Sequence, residues 1–218
     1  MKIPNKKFVY LISPNKINSK SFYINLNLVL KSNKVKFFQL RLKKETTKKK
    51  FEIAKRILKI CKKNKVKFII NDDPYLARKV KADGCHLGQN DMNITEAKKI
   101  LKKKIIGITC HNSLKLARIA SLKNADYIAI GAFFKSLTKI VKFKANIATL
   151  KKIKKYIRIP IVAIGGINEK NYKNLLLNNA DFLAISGYIW KNKKYKPIDA
   201  IEKIKWRLTP EKLELECF

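Results

Sequence analysis

VKFFQLRLK, residues 35–43, reads as a strand that starts apolar and ends polar. Side chains alternate along a strand, so Gln39, Arg41 and Lys43 share one face while Leu40 and Leu42 take the other. A half-buried strand gains nothing from gathering an amide and two cations on its inner side. Two arrangements account for it: a strand that ends at the mouth of a barrel, where an anion is received, or exposed strand-edge cations in a lysine-rich chain.

The rest of the chain agrees with the barrel reading. β-type runs alternate with helix-type segments eight times: FVYLIS (8–13), VKFFQLRL (35–42), KFIIND (67–72), GCHLG (84–88), IIGITC (105–110), YIAIGAF (127–133), PIVAIGG (160–166) and DFLAISGYI (181–189). Most are rich in Ile, Val and Phe, as strands covered on both faces should be. Between them, Phe51, Ile53, Ala54, Ile57 and Leu58 recur at helical spacing, as do Ile147, Leu150 and Ile153. Pro74 suits a first helical turn, with Asp72 or Asp73 as its cap, and Asn168 is placed to cap a helix over 169–177.

Alternating strands and helices predict a parallel sheet with right-handed crossovers. Eight repeats predict an α/β fold, a single (β/α)8 TIM barrel, an architecture that typically needs about 250 residues. A doubly wound open sheet is the second choice, disfavoured because no GxGxxG follows the first strand. No Pro/Gly/Ser-rich boundary divides the chain, so one barrel domain over 1–207 and a short tail over 208–218 are expected.

Composition bounds the function classes. The chain has 46% hydrophobic residues, too many for disorder, and no apolar run long enough for a membrane span. The N-terminal MKIPNKKFVYLIS lacks a secretory apolar region, so a cytoplasmic location is expected. Cys61, Cys85, Cys110 and Cys217 form no CxxC pair and are expected to be free thiols. With 51 Lys+Arg against 15 Asp+Glu, the formal net charge is +36. That excess raises a nucleic-acid-binding barrel as an alternative. The lysines, however, are spread from Lys2 to Lys212 and flank apolar residues at helical spacing. No nucleic-acid-binding motif accompanies them, so loose binding of polyanions without sequence readout is expected.

In a (β/α)8 barrel the chemistry sits where the strands end. Polar residues cluster there: Gln39, Arg41 and Lys43; Asn71 and Asp72; His86, Gln89 and Asp91; Thr109 and His111; then Lys135 to Lys139. Arg offers a planar fork and Lys a point charge, a pairing suited to a diphosphate. Asp72 and Asp91 could carry Mg2+, which takes few protein oxygens and completes its shell with water and phosphate. Gly165-Gly166 and Ser186-Gly187 close the last two strands, where this fold recurrently cradles a phosphate. The Cys85-His86 and Cys110-His111 pairs do not suit zinc, because adjacent strand residues face opposite ways.

The motifs QLRLK (39–43), FIINDD (68–73), ADGCHLGQND (82–91), GITCHN (107–112), ADYIAIGAFFKSLTK (125–139), IPIVAIGGIN (159–168) and ADFLAISGYIW (180–190) resemble the thiamine-phosphate synthase family over residues 8–190, in order and spacing. The resemblance implies a barrel that joins a pyrimidine diphosphate to a thiazole phosphate and releases pyrophosphate. By motif, it implies that Gln39, Arg41, Lys43 and Asn71 hold the pyrimidine diphosphate, and that Asp72 and Asp91 bind Mg2+. Thr109 stands where the family usually has Ser beside the leaving group. Ser136 and Thr138 would meet the thiazole phosphate, Lys139 the diphosphate, and Gly166 with Ile185 and Ser186 the monophosphate. The chain departs from the family pattern at Leu42, usually acidic, and at Lys135, usually Pro. A thiazole tautomerase-like isomerase is the related alternative; retention of Arg41, Lys43, Asp72, Asp91 and Lys139 favours the synthase. The implied partners are small phosphorylated substrates, in a possible homo-oligomer.

Overall fold

A computed structural model of the chain describes residues 8–136 and 142–205. The expected tail, residues 208–218, and Cys217 with it, lie outside the described residues.

The first half of the barrel runs β1 (Phe8–Ile12), α1 (Lys20–Lys31), β2 (Val35–Leu40), α2 (Thr47–Lys63), β3 (Lys67–Asn71), α3 (Pro74–Lys79), β4 (Gly84–Leu87) and α4 (Ile94–Leu101). The second runs β5 (Ile105–His111), α5 (Leu114–Leu122), β6 (Tyr127–Gly131), α6 (Ile147–Tyr156), β7 (Ile161–Ile164), α7 (Tyr172–Leu177) and β8 (Phe182–Ile185). Two short helices, α8 (Gly187–Trp190) and α9 (Pro197–Glu202), follow. All eight strands pair in parallel and in sequence order, and β8 closes on β1. The sequence-derived (β/α)8 architecture is therefore the observed one.

Strand alternation divides the core into two shells. Outside the sheet, Leu11, Phe38, Leu40, Phe68, Ile70, Cys85 and Leu87 pack beneath the helices. Inside it, Tyr10, Ile12, Phe37, Ile69, Ile105, Tyr127, Val162 and Phe182 fill the barrel. Ala129 and Ala184 stand two residues beyond Tyr127 and Phe182 on their strands and are small members of the same interior cluster. Side chains fill the interior, as is usual for a barrel of eight strands.

Local chemistry sets the element boundaries. The Asp73 carboxylate accepts from Leu76 N at 2.8 Å and caps α3, whose first residue is Pro74. Asp72 is thereby free of capping duty. The helix expected over 169–177 is shorter: α7 begins at Tyr172, and Asn168 does not cap it. Instead Asn171 Oδ1 accepts from Asn168 N at 2.9 Å, and Asn168 Oδ1 accepts from Lys170 N at 2.9 Å. The Asn side chains form a local turn that competes with the first helical turn.

Candidate active site

β2 stops at Leu40, earlier than the sequence suggests, so only Gln39 of the polar trio lies within the strand. Ser13, 2% exposed at the end of β1, takes over where the strand pairing ends. Its hydroxyl oxygen accepts from Arg41 N at 2.9 Å, and Ser13 N donates to Gln39 O at 2.9 Å. The trio still follows the expected alternation, with Leu40 and Leu42 buried in the outer shell. Gln39 is 2% exposed, and its Nε2 has no hydrogen-bond partner among the described residues. A buried amide donor left unpaired costs about 1–3 kcal/mol, a cost that a bound ligand with an acceptor would remove. The Arg41 guanidinium reaches Asn15 Oδ1 at 3.4 Å.

On the neighbouring strand, Asp72 follows the last residue of β3 with φ of 64°, a left-handed conformation that Asp tolerates better than most residues. Asp72 N donates to His86 O at 2.8 Å, which fixes the bend. Its carboxylate pairs with Lys43 Nζ at 3.2 Å. It also lies within hydrogen-bonding reach of the Asp91 carboxyl. Asp91 Oδ2 accepts from Gly88 N at 2.7 Å. Burial and the neighbouring Asp72 carboxylate push the Asp91 carboxyl above its ordinary value, while Lys43 opposes the shift. Two facing carboxylates with one cation beside them form a hard-oxygen donor pair. Among the described residues no group of three or more His, Cys, Asp and Glu is assembled to hold a metal. The two carboxylates of Asp72 and Asp91 are oxygen donors of the type Mg2+ takes when waters and substrate oxygens complete its shell. Beside it, a cavity of about 280 Å3 is lined by Lys43, Lys50, Asn71, Asp72 and Asp73 over an apolar floor.

The floor of the mouth holds a residue to which the sequence reading gave no role. His86 is 8% exposed and points inward, while its neighbour Cys85 packs outward. His86 Nε2 lies 2.8 Å from Thr109 Oγ1, and Nδ1 lies 3.0 Å from the Tyr127 hydroxyl. Burial pushes its pKa down to about 4, opposed by Asp91 and aided by Arg41. His86 is thus a neutral imidazole at neutral pH. The sequence already sets His86 among the polar strand ends, and the alternation that places Gln39 inside also turns His86 inward, counted from Cys85. Its two hydroxyl partners come from other strands, and no spacing reveals them.

On the far side, Gly165 and Gly166 adopt φ of 107° and 63° just beyond β7. A Cβ on Gly166 would stand 2.2 Å from Lys135 O, so the bend is closed to other residues. The Ser186 hydroxyl donates to Ser13 O at 3.1 Å, tying the end of β8 to β1. The Ile185 side chain is buried in the outer shell, so only its backbone can face a ligand. Ser136 is part-buried. Thr138 and Lys139 lie outside the described residues. Arg41, Lys43, Asp72 and Asp91 come together with Gln39, Asn71, His86 and Thr109 on one rim; Gly166, Ile185 and Ser186 occupy the adjoining arc.

Fold and rim define a (β/α)8 barrel whose C-terminal mouth is lined with cations, a carboxylate pair and glycine bends. A family model described as thiamine monophosphate synthase matches residues 9–189. A thiamine-phosphate synthase of Pelagibacter ubique is 65% identical over 201 residues, covering 92% of this chain and 97% of the relative. One from Erythrobacter litoralis is 39% identical over 198 residues, covering 88% and 92%. The solved structure of a thiamine phosphate pyrophosphorylase from Pyrococcus furiosus superposes with a TM-score of 0.80 at 29% identity, covering 91% of this chain and 94% of that one. The chain belongs to the thiamine monophosphate synthase family.

Proposed function

We propose that this chain is a thiamine-phosphate synthase, which condenses 4-amino-5-hydroxymethyl-2-methylpyrimidine diphosphate with thiazole phosphate and releases pyrophosphate. The observation that carries the reading is the convergence of Lys43, Asp72 and Asp91 at the barrel mouth, with Lys43 Nζ 3.2 Å from Asp72. That cluster suits a diphosphate accompanied by a divalent cation. The names of the relatives support the synthase over the isomerase alternative.

Each residue then has a physical task. Arg41 and Lys43 hold the diphosphate oxygens and neutralise charge as it grows on the leaving group, the electrostatic term that usually dominates such catalysis. Gln39 offers its unpaired amide hydrogens to an acceptor on the pyrimidine substrate, and Asn71 contacts the same substrate. Thr109, held by His86, stands beside the leaving group. Lys139 adds a further cation to the diphosphate. Ser136 and Thr138 meet the thiazole phosphate, and Gly166 with the backbone at Ile185 and Ser186 cradles it. Asp72 and Asp91 would hold Mg2+, which when bound supplies charge neutralisation to the departing diphosphate.

Loss of diphosphate leaves positive charge on the pyrimidine methylene, stabilised by the ring, and the thiazole nitrogen captures it. The nitrogen attacks through its own lone pair, so no general base is required. The substrates are small phosphorylated molecules, and the protein is expected to act in the cytoplasm. Among the described residues no helix is long and apolar enough to cross a membrane.

Incubation with both phosphorylated halves and Mg2+ tests the reading. Pyrophosphate and thiamine phosphate should appear in equal amounts, and omission of either half should abolish both. Isomerisation of the thiazole phosphate alone, without pyrophosphate release, would transfer the assignment to the isomerase.

A further inference from the structure

Four side chains from four strands form one hydrogen-bonded line through the barrel interior. The Tyr10 and Tyr127 hydroxyls lie 2.7 Å apart, Tyr127 reaches His86 Nδ1 at 3.0 Å, and His86 Nε2 reaches Thr109 Oγ1 at 2.8 Å. The line is built in, not incidental. Gly107 makes room for the Tyr127 ring, since a Cβ there would stand 1.9 Å from its Cζ. The imidazole stacks on the same ring at 5.6 Å between centroids, and the Tyr10 ring stacks on Phe37. Tyr10 and Tyr127 are 2% and 1% exposed.

A line of hydroxyls around an imidazole has two possible polarities. In one, Thr109 donates to His86 Nε2, His86 Nδ1 donates to Tyr127, and Tyr127 donates to Tyr10. The Tyr10 hydroxyl hydrogen is then left in an apolar interior, because Tyr127 is its only hydrogen-bond partner among the described residues. A protonated imidazole would impose the same defect, since both its nitrogens donate. In the other polarity, Tyr10 donates to Tyr127, Tyr127 donates to Nδ1, and Nε2–H donates to Thr109 Oγ1. Every buried hydrogen finds an acceptor, and the hydrogen left over belongs to Thr109, at the wet end. Unmet donors are costly where water cannot reach, so the second polarity is favoured.

We propose that Tyr127 is a positioning residue that holds His86 as its Nε2–H tautomer and thereby turns the Thr109 hydroxyl hydrogen outward, toward the anion held at the mouth. The role of that hydrogen as a donor to the leaving diphosphate rests on the synthase reading; the tautomer does not. The burial that keeps the imidazole neutral is consistent with both.

The chain has two histidines, His86 and His111, so nitrogen NMR of the 15N-histidine-labelled full chain reads the tautomer directly, with His111→Gln assigning the signals. At neutral pH, His86 should show an unprotonated Nδ1 and a protonated Nε2. Tyr10→Phe should keep that signature, because the Tyr127 hydrogen still has Nδ1 as its acceptor. Tyr127→Phe should lose it, giving mixed tautomers, and kcat should fall roughly ten-fold or more with KM for the pyrimidine diphosphate changed less. A protonated Nδ1 in the unaltered chain would overturn the proposal, and so would an unchanged Nε2–H signature in folded Tyr127→Phe. Absence of pyrophosphate release by the unaltered chain would instead remove the synthase reading and leave the tautomer result standing.

Discussion

Lys43 Nζ and Asp72 Oδ2 meet at 3.2 Å, although each belongs to a different loop leaving a neighbouring strand. The Lys43 side chain is 56% exposed, so the pair contributes little to stability. Its value is placement, because it brings a cation and a carboxylate to the mouth without burying either. Asp72→Asn should therefore leave the melting temperature nearly unchanged. Turnover should fall roughly 10²-fold, about 2.7 kcal/mol of barrier. A thermal melt beside a pyrophosphate-release assay separates the two effects, and equal losses in both would mean that Asp72 is structural.

His86 gives a pH dependence with a definite sign. Its folded-state pKa is lowered to about 4 from an ordinary value of 6.5. Well above pH 6.5 the imidazole is neutral in both folded and unfolded chains and contributes no pH dependence. As pH falls from 6.5 towards 4 the unfolded chain takes up a proton that the folded one refuses. Stability should then drop by up to about 1.4 kcal/mol for each pH unit. Denaturant midpoints of the unaltered chain and His86→Gln, followed from pH 7 to pH 4.5, check this. The unaltered chain should show the steeper decline.

The glycine bend beyond β7 should be intolerant of a side chain. Gly166→Ala places a Cβ 2.2 Å from Lys135 O in a left-handed conformation, a strain of about 1–3 kcal/mol. The melting temperature should fall, and KM for the thiazole phosphate should rise more than KM for the pyrimidine diphosphate. Steady-state kinetics with each substrate varied in turn supply the comparison. An equal rise in both would argue against a phosphate cradle at this bend.

Ser13 links the two arcs of the rim through Arg41 N and the Ser186 hydroxyl. Ser13→Ala leaves the Arg41 N–H without its acceptor, at a cost of about 1–3 kcal/mol. KM for the pyrimidine diphosphate should rise in the same variant, as the Arg41 arm loosens. A change in stability alone would confine Ser13 to a structural part.

The formal charge of +36 should be visible in kinetics. Attraction of anionic substrates acts on encounter and is screened by salt, so kcat/KM should fall roughly ten-fold from low to high ionic strength while kcat changes little. Stopped-flow or steady-state measurements across a salt series read this directly. A flat kcat/KM would show that the lysines serve the surface without steering substrate.

The barrel was legible because each strand carries its own signal. Runs such as KFIIND and YIAIG are apolar on both faces, and the helical spacing of residues 51–58 needs no tertiary information. The rim was legible for the same reason: Gln39, Asp72 and Thr109 are polar where a strand should end. What no spacing carries is partnership across strands. Ser13 reads as an ordinary strand end until Arg41 N is seen to donate to it. Tyr10 and Tyr127 read as bulky core residues, 117 positions apart, until their hydroxyls meet at 2.7 Å. Asp73 and Asp72 could each have capped α3, and only the geometry assigns the cap to Asp73.

Pyrophosphate release by the unaltered chain and by Arg41→Ala, with both phosphorylated halves and Mg2+ present, tests the central claim most directly. The unaltered chain should release pyrophosphate in step with thiamine phosphate, and the variant should do so roughly 10²-fold more slowly while remaining folded. No release by the folded unaltered chain, or an undiminished rate in Arg41→Ala, would contradict the account.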